Sequence, residues 1–284
     1  MQSQENGYGI RLSSIPGCAG QAYACLWHYF LPHVVISLFA FLPFCLAGYF
    51  GYLAPVFTAS TGQGAVPEGF HLSFLLLMFT TFFWAIPSLI LWHRLFLLGP
   101  EHLIRPNFWP LMTRSLHYIA KFLILLGGIV LLTFVLTAFL LFLLNNILSF
   151  DGSSVAEIGK LEMALYIGGV IFVFLFTFMI ALRLSLAFSA QAIGKKLGFR
   201  ASWTLTRQHT GHMVLSALLS LLPAALVVLS ASYVLDRLFE DPSRNLYLVL
   251  FMLAPVLSLP LAVFCSQTSV YYRGCGACHH REEH

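Results

Sequence analysis

The chain has 284 residues, of which 59% are apolar and 9% are charged, and its formal net charge is +4. About one quarter of the residues in a soluble globular domain are charged, so this composition excludes a soluble domain and indicates a membrane protein. The small, scattered positive charge also excludes a nucleic-acid-binding protein, which needs a clustered basic surface.

Six apolar segments are long enough to cross about 30 Å of hydrocarbon at about 1.5 Å per residue. We predict these spans at residues 29–53, 70–93, 117–144, 161–188, 212–235 and 246–272. The predicted fold class is all-α: a polytopic membrane protein of six transmembrane helices in three hairpins, with short interfacial cytoplasmic helices. In this division, residues 1–28 and 273–284 are cytoplasmic tails, and residues 29–272 form the membrane domain.

The placement of Lys and Arg predicts the orientation, because positively charged loops stay in the cytoplasm. With both termini inside, the outer loops hold three cations, Lys160, Arg237 and Arg244. The cytoplasmic segments hold the other twelve: Arg11, Arg94, Arg105, Arg114, Lys121, Arg183, Lys195, Lys196, Arg200, Arg207, Arg273 and Arg281. We therefore expect a multi-pass protein of the bacterial inner membrane with both termini in the cytoplasm.

Two predicted cytoplasmic connections mix cations with aromatic side chains. The first contains Arg94, Arg105 and Trp109. In the second, Phe199 and Trp203 share one helical face, while Arg200, Thr204 and Arg207 follow a neighbouring stripe. Such a helix favours the headgroup plane, with its rings toward the lipid and its guanidinium groups toward anionic phosphates.

These connections predict a surface that binds anionic lipid or a protein partner. Its expected residues are Arg94, Arg105, Trp109, Arg183, Arg200, Trp203 and Arg207. The alternative is an interfacial helix that only anchors the hairpin. The partners we expect are membrane lipids and either a membrane protein or a second copy of the chain, with no nucleic acid.

An arginine follows the apolar run of every second span. Arg94, Arg183 and Arg273 are separated by 89 and 90 residues. An internal repeat of three hairpins would produce this spacing, and so would evenly sized loops with arginines that extend from the span ends.

The central parts of the spans lack Asp, Glu, Lys and Arg, which disfavours ion-coupled transport. We find no nucleotide-binding loop, zinc-protease helix or nucleophile elbow, so we predict a non-enzymatic protein without a cofactor. His33 is predicted to be a hydrogen-bonded interfacial residue. We interpret a further histidine set as surface or headgroup-facing: His93, His102, His117, His209 and His212.

The carboxyl-terminal tail contains Cys275, Cys278 and His279 in the C-x-x-C-H spacing of covalent haem attachment. Haem attachment would require the tail to lie outside the cytoplasm. The other hypothesis is a zinc site in which Cys275 and Cys278 converge with Cys18 and Cys25. Both hypotheses make the protein a metal- or haem-binding membrane protein.

A third class of function is a passive channel or exporter for small apolar or amphipathic molecules. It would use a pore lined by the residues near kinking prolines and by polar residues such as Asn145, Asn146 and Gln267.

The second connection and its flanks, "RLSLAFSAQAIGKKLGFRASWTLTRQHTGHM", resemble the signature of YciC-type bacterial inner-membrane proteins. They are also similar to membrane domains attached to some glycerophosphodiester phosphodiesterases. The matching positions are Arg183, Ala187, Ala192, Gly194, Trp203, Leu205, Thr206 and Arg207. "WHRLFLLG" at 92–99 is similar to the end of the second span in that group. The resemblance implies a six-helix bundle with a role in envelope or lipid homeostasis, and it supplies no catalytic residue.

Overall fold

The computed structural model describes residues 14–53, 70–103, 108–148, 160–238 and 246–279, and these ranges contain helices and no strand. The helices are α1 (Ile15–His28), α2 (Phe30–Tyr49), α3 (Phe70–Leu98), the 3-10 helix η1 (Pro100–His102), α4 (Phe108–Leu148), α5 (Lys160–Ala192), α6 (Phe199–Thr206), α7 (Thr210–Leu238), α8 (Leu246–Leu257) and α9 (Leu259–His279).

Six stretches of the described chain are helical, long and apolar enough to cross a membrane. They are Phe30–Tyr49, Phe70–Leu98, Met112–Leu143, Met163–Ala192, Thr210–Val234 and Leu248–Gly274. This finding confirms the all-α polytopic fold and its six spans. The short helices η1 and α6 lie in the two connections where short interfacial helices were expected.

Helix α1 lies within the segment predicted as the amino-terminal tail, and it packs against α7 and α9. Its first turn is capped by the hydroxyl of Ser14, which accepts a hydrogen bond from the Gly17 amide at 3.3 Å. The Tyr23 hydroxyl donates to the carbonyl of Ser220 at 2.6 Å, and the Ser266 hydroxyl donates to that of Ala22 at 3.1 Å. Residues 15–28 are therefore part of the bundle.

The sixth span is discontinuous, because α8 ends at Leu257 and α9 begins at Leu259. Pro255 and Pro260 flank this break, and proline removes an amide donor and crowds the preceding turn. The Ser258 hydroxyl at the break donates to the hydroxyl of Ser37 on α2 at 2.7 Å. This bond joins the sixth span to α2, while the main-chain bonds from Ser258 N to Ala254 O and from Ala262 N to Ser258 O, both 3.0 Å long, continue on the two sides of the break.

Helix α9 is the central element, in contact with α1, α3, α5 and α7. Its segment Cys265–Ser269 is buried on all sides. Serine and threonine are small enough to let the neighbouring helices approach closely, and their hydroxyls bond to main-chain carbonyls within the helix. The Thr268 hydroxyl, for example, donates to Phe264 O at 3.0 Å.

The α4–α5 hairpin lies at the edge of the bundle, and the most apolar part of α4 buries none of its residues. The two helices pack closely where Gly169 of α5 faces Leu140 of α4. A Cβ atom at Gly169 would lie 2.5 Å from a Leu140 methyl carbon, whereas one at Gly168 would meet nothing within 4 Å.

We predict that Gly169→Val lowers the stability of the purified protein by about 1–3 kcal/mol, the usual cost of overpacking. Gly168→Val is the matched control, with the same exchange one residue away in open space. Thermal unfolding in detergent should show a lower midpoint for Gly169→Val than for Gly168→Val. Leu140→Ala should recover part of the loss, and equal midpoints for the two valine variants would refute this packing.

Candidate functional site

The described cations concentrate at one end of the bundle, where α3, α5 and α9 end and α4 and α7 begin. We call this the basic end. Its cations with described side chains are Arg94, Arg114, Lys121, Arg183, Lys195, Lys196, Arg200, Arg207 and Arg273. Of the eleven acidic residues in the sequence, Glu101 is the one whose side chain is described, and it lies at this end as well. Positive charge at the basic end is therefore largely uncompensated within the described residues.

The connection between α5 and α7 requires glycine where α5 ends. Gly194 follows the end of α5 with a φ of 83°, a left-handed conformation that glycine adopts without strain. The amide of Lys195 then donates back to Ala190 O at 2.9 Å, which closes the helix end. Gly198 leads into α6, so that α6 returns across the end of α5.

Arg183 near the end of α5 holds α6 in place. Its Nη2 donates to Trp203 O at 2.7 Å, and its Nε donates to Thr206 Oγ1 at 3.3 Å. The guanidinium carbon lies 3.5 Å from the centroid of the Trp203 ring, a cation–π contact. In return, the Ser202 hydroxyl donates to Arg183 O at 2.5 Å. A cation bound to the last carbonyls of a helix also interacts favourably with its dipole.

Arg183 was predicted to face lipid headgroups or a partner, and its contacts differ from that expectation. The side chain is 8% exposed and its guanidinium is engaged by α6. Arginine near a span end can extend toward water or toward a nearby carbonyl, and here the carbonyl of the returning helix is within reach. Arg183 therefore positions α6, and its direct contact with a lipid or a partner stays a prediction.

The other two arginines of the regular spacing make similar contacts. Arg94 donates from Nη2 to the carbonyl of His102 at 3.4 Å, at the end of η1. Arg273 donates to the carbonyls of Phe96 and Leu97, the latter at 3.0 Å, in the last turn of α3. All three guanidinium groups thus bind carbonyls that the end of a helix leaves without an internal partner.

Lys121 of α4 ties the same connection to the hairpin. Its Nζ donates to Gln191 Oε1 at 2.9 Å and to Leu197 O at 3.1 Å. Lys121 and Arg183 therefore support α6 from two different spans.

Four cations around α6 point outward, and we call them the α6 patch: Lys195, Lys196, Arg200 and Arg207. All four are exposed. The Trp203 ring beside them is 37% exposed, because one face is covered by Arg183. The predicted site residues Arg200, Trp203 and Arg207 thus lie together, and Lys195 and Lys196 join them.

Two other predicted site residues lie outside the described residues or side chains. Arg105 is outside the described chain, and Trp109 belongs to α4 without a described side chain. Arg94 is half-buried at the end of α3 and is engaged by η1. The structure consequently brings together the predicted site residues of the second connection. A role of the first connection in the same site stays a prediction.

The predicted metal ligands Cys275, Cys278 and His279 belong to α9, and their side chains are outside the described part. Cys18 of the proposed zinc set is buried against Leu186, Met213 and Tyr271. Among the side chains that are described, no three of His, Cys, Asp or Glu meet as a metal site. The tail hypotheses therefore stay predictions.

The interpretation of His93 as a surface residue is wrong. His93 is 2% exposed, and its Nδ1 lies 3.1 Å from Ser269 Oγ and 3.3 Å from Ser189 Oγ. His212 is half-buried and hydrogen-bonded to the Tyr271 hydroxyl. Both lie against α9. Hydropathy could not predict that α9 is at the centre of the helix bundle. His102, His117 and His209 are exposed as expected.

His33 is hydrogen-bonded as predicted, and it is buried beside the break in the sixth span. Its Nε2 lies 3.2 Å from Pro255 O, and its Nδ1 lies 3.4 Å from Ser37 Oγ. This contact joins α2 to α8.

A buried polar cluster lies between α7 and α9, and it was not predicted from the sequence. Gln267, assigned above to a possible channel lining, is 1% exposed. It donates from Nε2 to Ser216 Oγ at 2.9 Å and accepts from Ser220 at 3.1 Å. The spacing of Ser216 and Ser220, four apart in an apolar span, is the signal that could have indicated a polar contact between helices. The Asn145 and Asn146 side chains are outside the described part.

Comparison with known proteins finds no match among family models, curated proteins or solved structures.

We predict that Arg183→Lys destabilises the protein by about 2 kcal/mol, because lysine cannot bond Trp203 O and Thr206 together while stacking on the ring. The matched control is Arg200→Lys, which changes an exposed guanidinium in the same connection. Thermal unfolding should show a lower midpoint for Arg183→Lys and no shift for Arg200→Lys. Wild-type stability of Arg183→Lys would contradict the assigned role.

Proposed function

We propose that this protein is a non-enzymatic membrane protein whose α6 patch binds anionic phospholipid headgroups. The observation that carries the proposal is the sorting of cations at the basic end. Arg94, Lys121, Arg183 and Arg273 donate to main-chain carbonyls or a side-chain amide, and Arg114 is half-buried. The four cations of the α6 patch are exposed.

The position of the patch suits a headgroup ligand. Residues 195–207 connect two helices long and apolar enough to cross a membrane, which end or begin at Ala192 and Thr210. This position at the end of two spans supports a location of the patch near the headgroup level. A cation near an anionic membrane surface contributes about 1 kcal/mol to the attraction. The half-exposed Trp203 ring beside the cations has the amphipathic character that favours the headgroup level.

The membrane and the orientation are part of the proposal. The excess of Lys and Arg in the connections at the basic end supports a cytoplasmic location for that end and for both termini. The charge rule applies to the bacterial inner membrane, and the YciC-type proteins that the chain resembles belong to that membrane. Both therefore favour the bacterial inner membrane as the location. In that resemblance, Arg183, Trp203 and Thr206 are matching positions, and their mutual contact supports a shared way of holding α6. A role in envelope or lipid homeostasis accords with a headgroup-binding surface.

We predict that the double variant Arg200→Glu/Arg207→Glu binds phosphatidylglycerol at least about tenfold more weakly, since two attractions become repulsions. Native mass spectrometry of the protein in mild detergent, with added phosphatidylglycerol, measures the bound lipid. The conservative variant Arg200→Lys/Arg207→Lys should keep most of the binding, because both charges remain.

The control for charge alone is Lys160→Glu/Arg244→Glu, which makes the same change at the predicted outer side. It should leave phosphatidylglycerol binding unchanged. Equal losses in both glutamate variants, or no loss in either, would contradict headgroup binding at the α6 patch. Loss of a co-purifying protein or of a second copy, with lipid binding intact, would instead identify a protein partner for this surface.

A further inference from the structure

An apolar pocket of about 220 Å³ lies between α4, α5 and α6. Its lining includes Leu125, Gly128 and Leu132 of α4, Ile180 and Leu184 of α5, and Phe199 of α6. The pocket is a groove that is partly open to its surroundings. Because α4 and α5 are spans, the medium outside this groove is lipid.

Gly128 contributes open space to the pocket. Leu125, Gly128 and Leu132 occupy one face of α4 at spacings of three and four residues. A Cβ atom at Gly128 would meet nothing within 4 Å, so the missing side chain leaves room that its neighbours do not fill. Gly127 also faces open space, yet it is not part of the pocket lining.

One end of the pocket lies toward the basic end of the bundle, and all of its lining residues are apolar. Phe199 forms part of the wall, and the next residue, Arg200, belongs to the α6 patch. Lys121 lies one helical turn before Leu125, with its Nζ bonded to Leu197 O in the same connection. Away from these cations, the named lining residues are aliphatic.

The pocket is long enough for part of an acyl chain. From Ile124 to Leu132, which both line it, the rise along α4 is about 12 Å, compared with about 15 Å for half of the hydrocarbon thickness. An apolar groove of this length, next to the connection that carries the α6 patch, suits an anionic glycerophospholipid. A chain of methylene groups fits a groove smaller than the roughly 300 Å³ at which small-molecule sites begin.

We propose that this pocket seats one acyl chain of the anionic phospholipid whose headgroup binds the α6 patch. The proposal rests on the function proposed above and adds a chain-binding element to it. Since lipid tails are as apolar as the pocket, the specificity comes from close packing and from the charge of the neighbouring α6 patch. A side chain of a second copy could fill the groove but would not match the cations of that patch.

Photo-crosslinking in nanodiscs of mixed phosphatidylglycerol and phosphatidylcholine tests this proposal. The probe is phosphatidylglycerol with a diazirine on one acyl chain, and crosslinked peptides are identified by mass spectrometry. Wild-type protein should crosslink within 124–132 and 180–184. Gly128→Leu fills the groove and should reduce this signal several-fold, whereas the matched control Gly127→Leu should leave it unchanged.

The two proposals fail in different ways. If Arg200→Glu/Arg207→Glu weakens phosphatidylglycerol binding while Gly128→Leu leaves the crosslinks unchanged, the headgroup surface stands and the chain pocket is refuted. If a phosphatidylcholine probe crosslinks the pocket equally well, the coupling of the pocket to an anionic headgroup is refuted. Crosslinks between two copies of the chain at this groove would also refute the proposal that the pocket binds an acyl chain.

Thermal unfolding of both leucine variants verifies that they are folded. Should Gly128→Leu not fold, Leu132→Phe narrows the groove from its inner end and should reduce the crosslinks in the same way.

Discussion

The guanidinium group of Arg183 lies beside the last turn of α6, which runs back along α5 after the chain has turned at residues 193–198. The last carbonyls of a short helix have no partner within that helix, and near hydrocarbon they have little water to bind. Arg183 supplies hydrogen bonds to Trp203 O and Thr206 and covers one face of the Trp203 ring. The position of α6, and with it the direction of the exposed cations, depends on this contact.

Most cations of the basic end fall into two groups with different contacts. Arg94, Arg183 and Arg273 bind carbonyls at helix ends, which gives the regular spacing of these arginines a structural explanation. The α6 patch carries charge that the described residues leave available. The same connection therefore supplies both the support and the surface, and Phe199 extends the surface into the apolar groove beside it.

Much of the fold could be predicted from the sequence because an apolar run of about twenty residues has few alternatives to a membrane helix. The break in the sixth span between Pro255 and Pro260 could not be predicted in the same way, because Pro43, Pro87 and Pro223 lie within continuous helices. Nor could the burial of His93 and the packing of α1 be predicted. In a membrane helix the face toward lipid and the face toward protein are both apolar, so hydropathy does not distinguish them. In α6, Arg200 and Arg207 form the predicted stripe and are exposed. The direction of the Arg183 side chain could not be predicted, because it depends on contact with Trp203, twenty residues later in the chain.

Hydrogen–deuterium exchange of the α6 amides tests the central role of Arg183 most directly. Amides such as that of Ser202, bonded to Gly198 O at 3.0 Å, should exchange slowly in the wild-type protein because α6 is held against α5. In Arg183→Gln, the peptide covering residues 199–206 should exchange much faster, while peptides from the centre of α7 keep wild-type rates. Unchanged protection of α6 in Arg183→Gln would contradict the account.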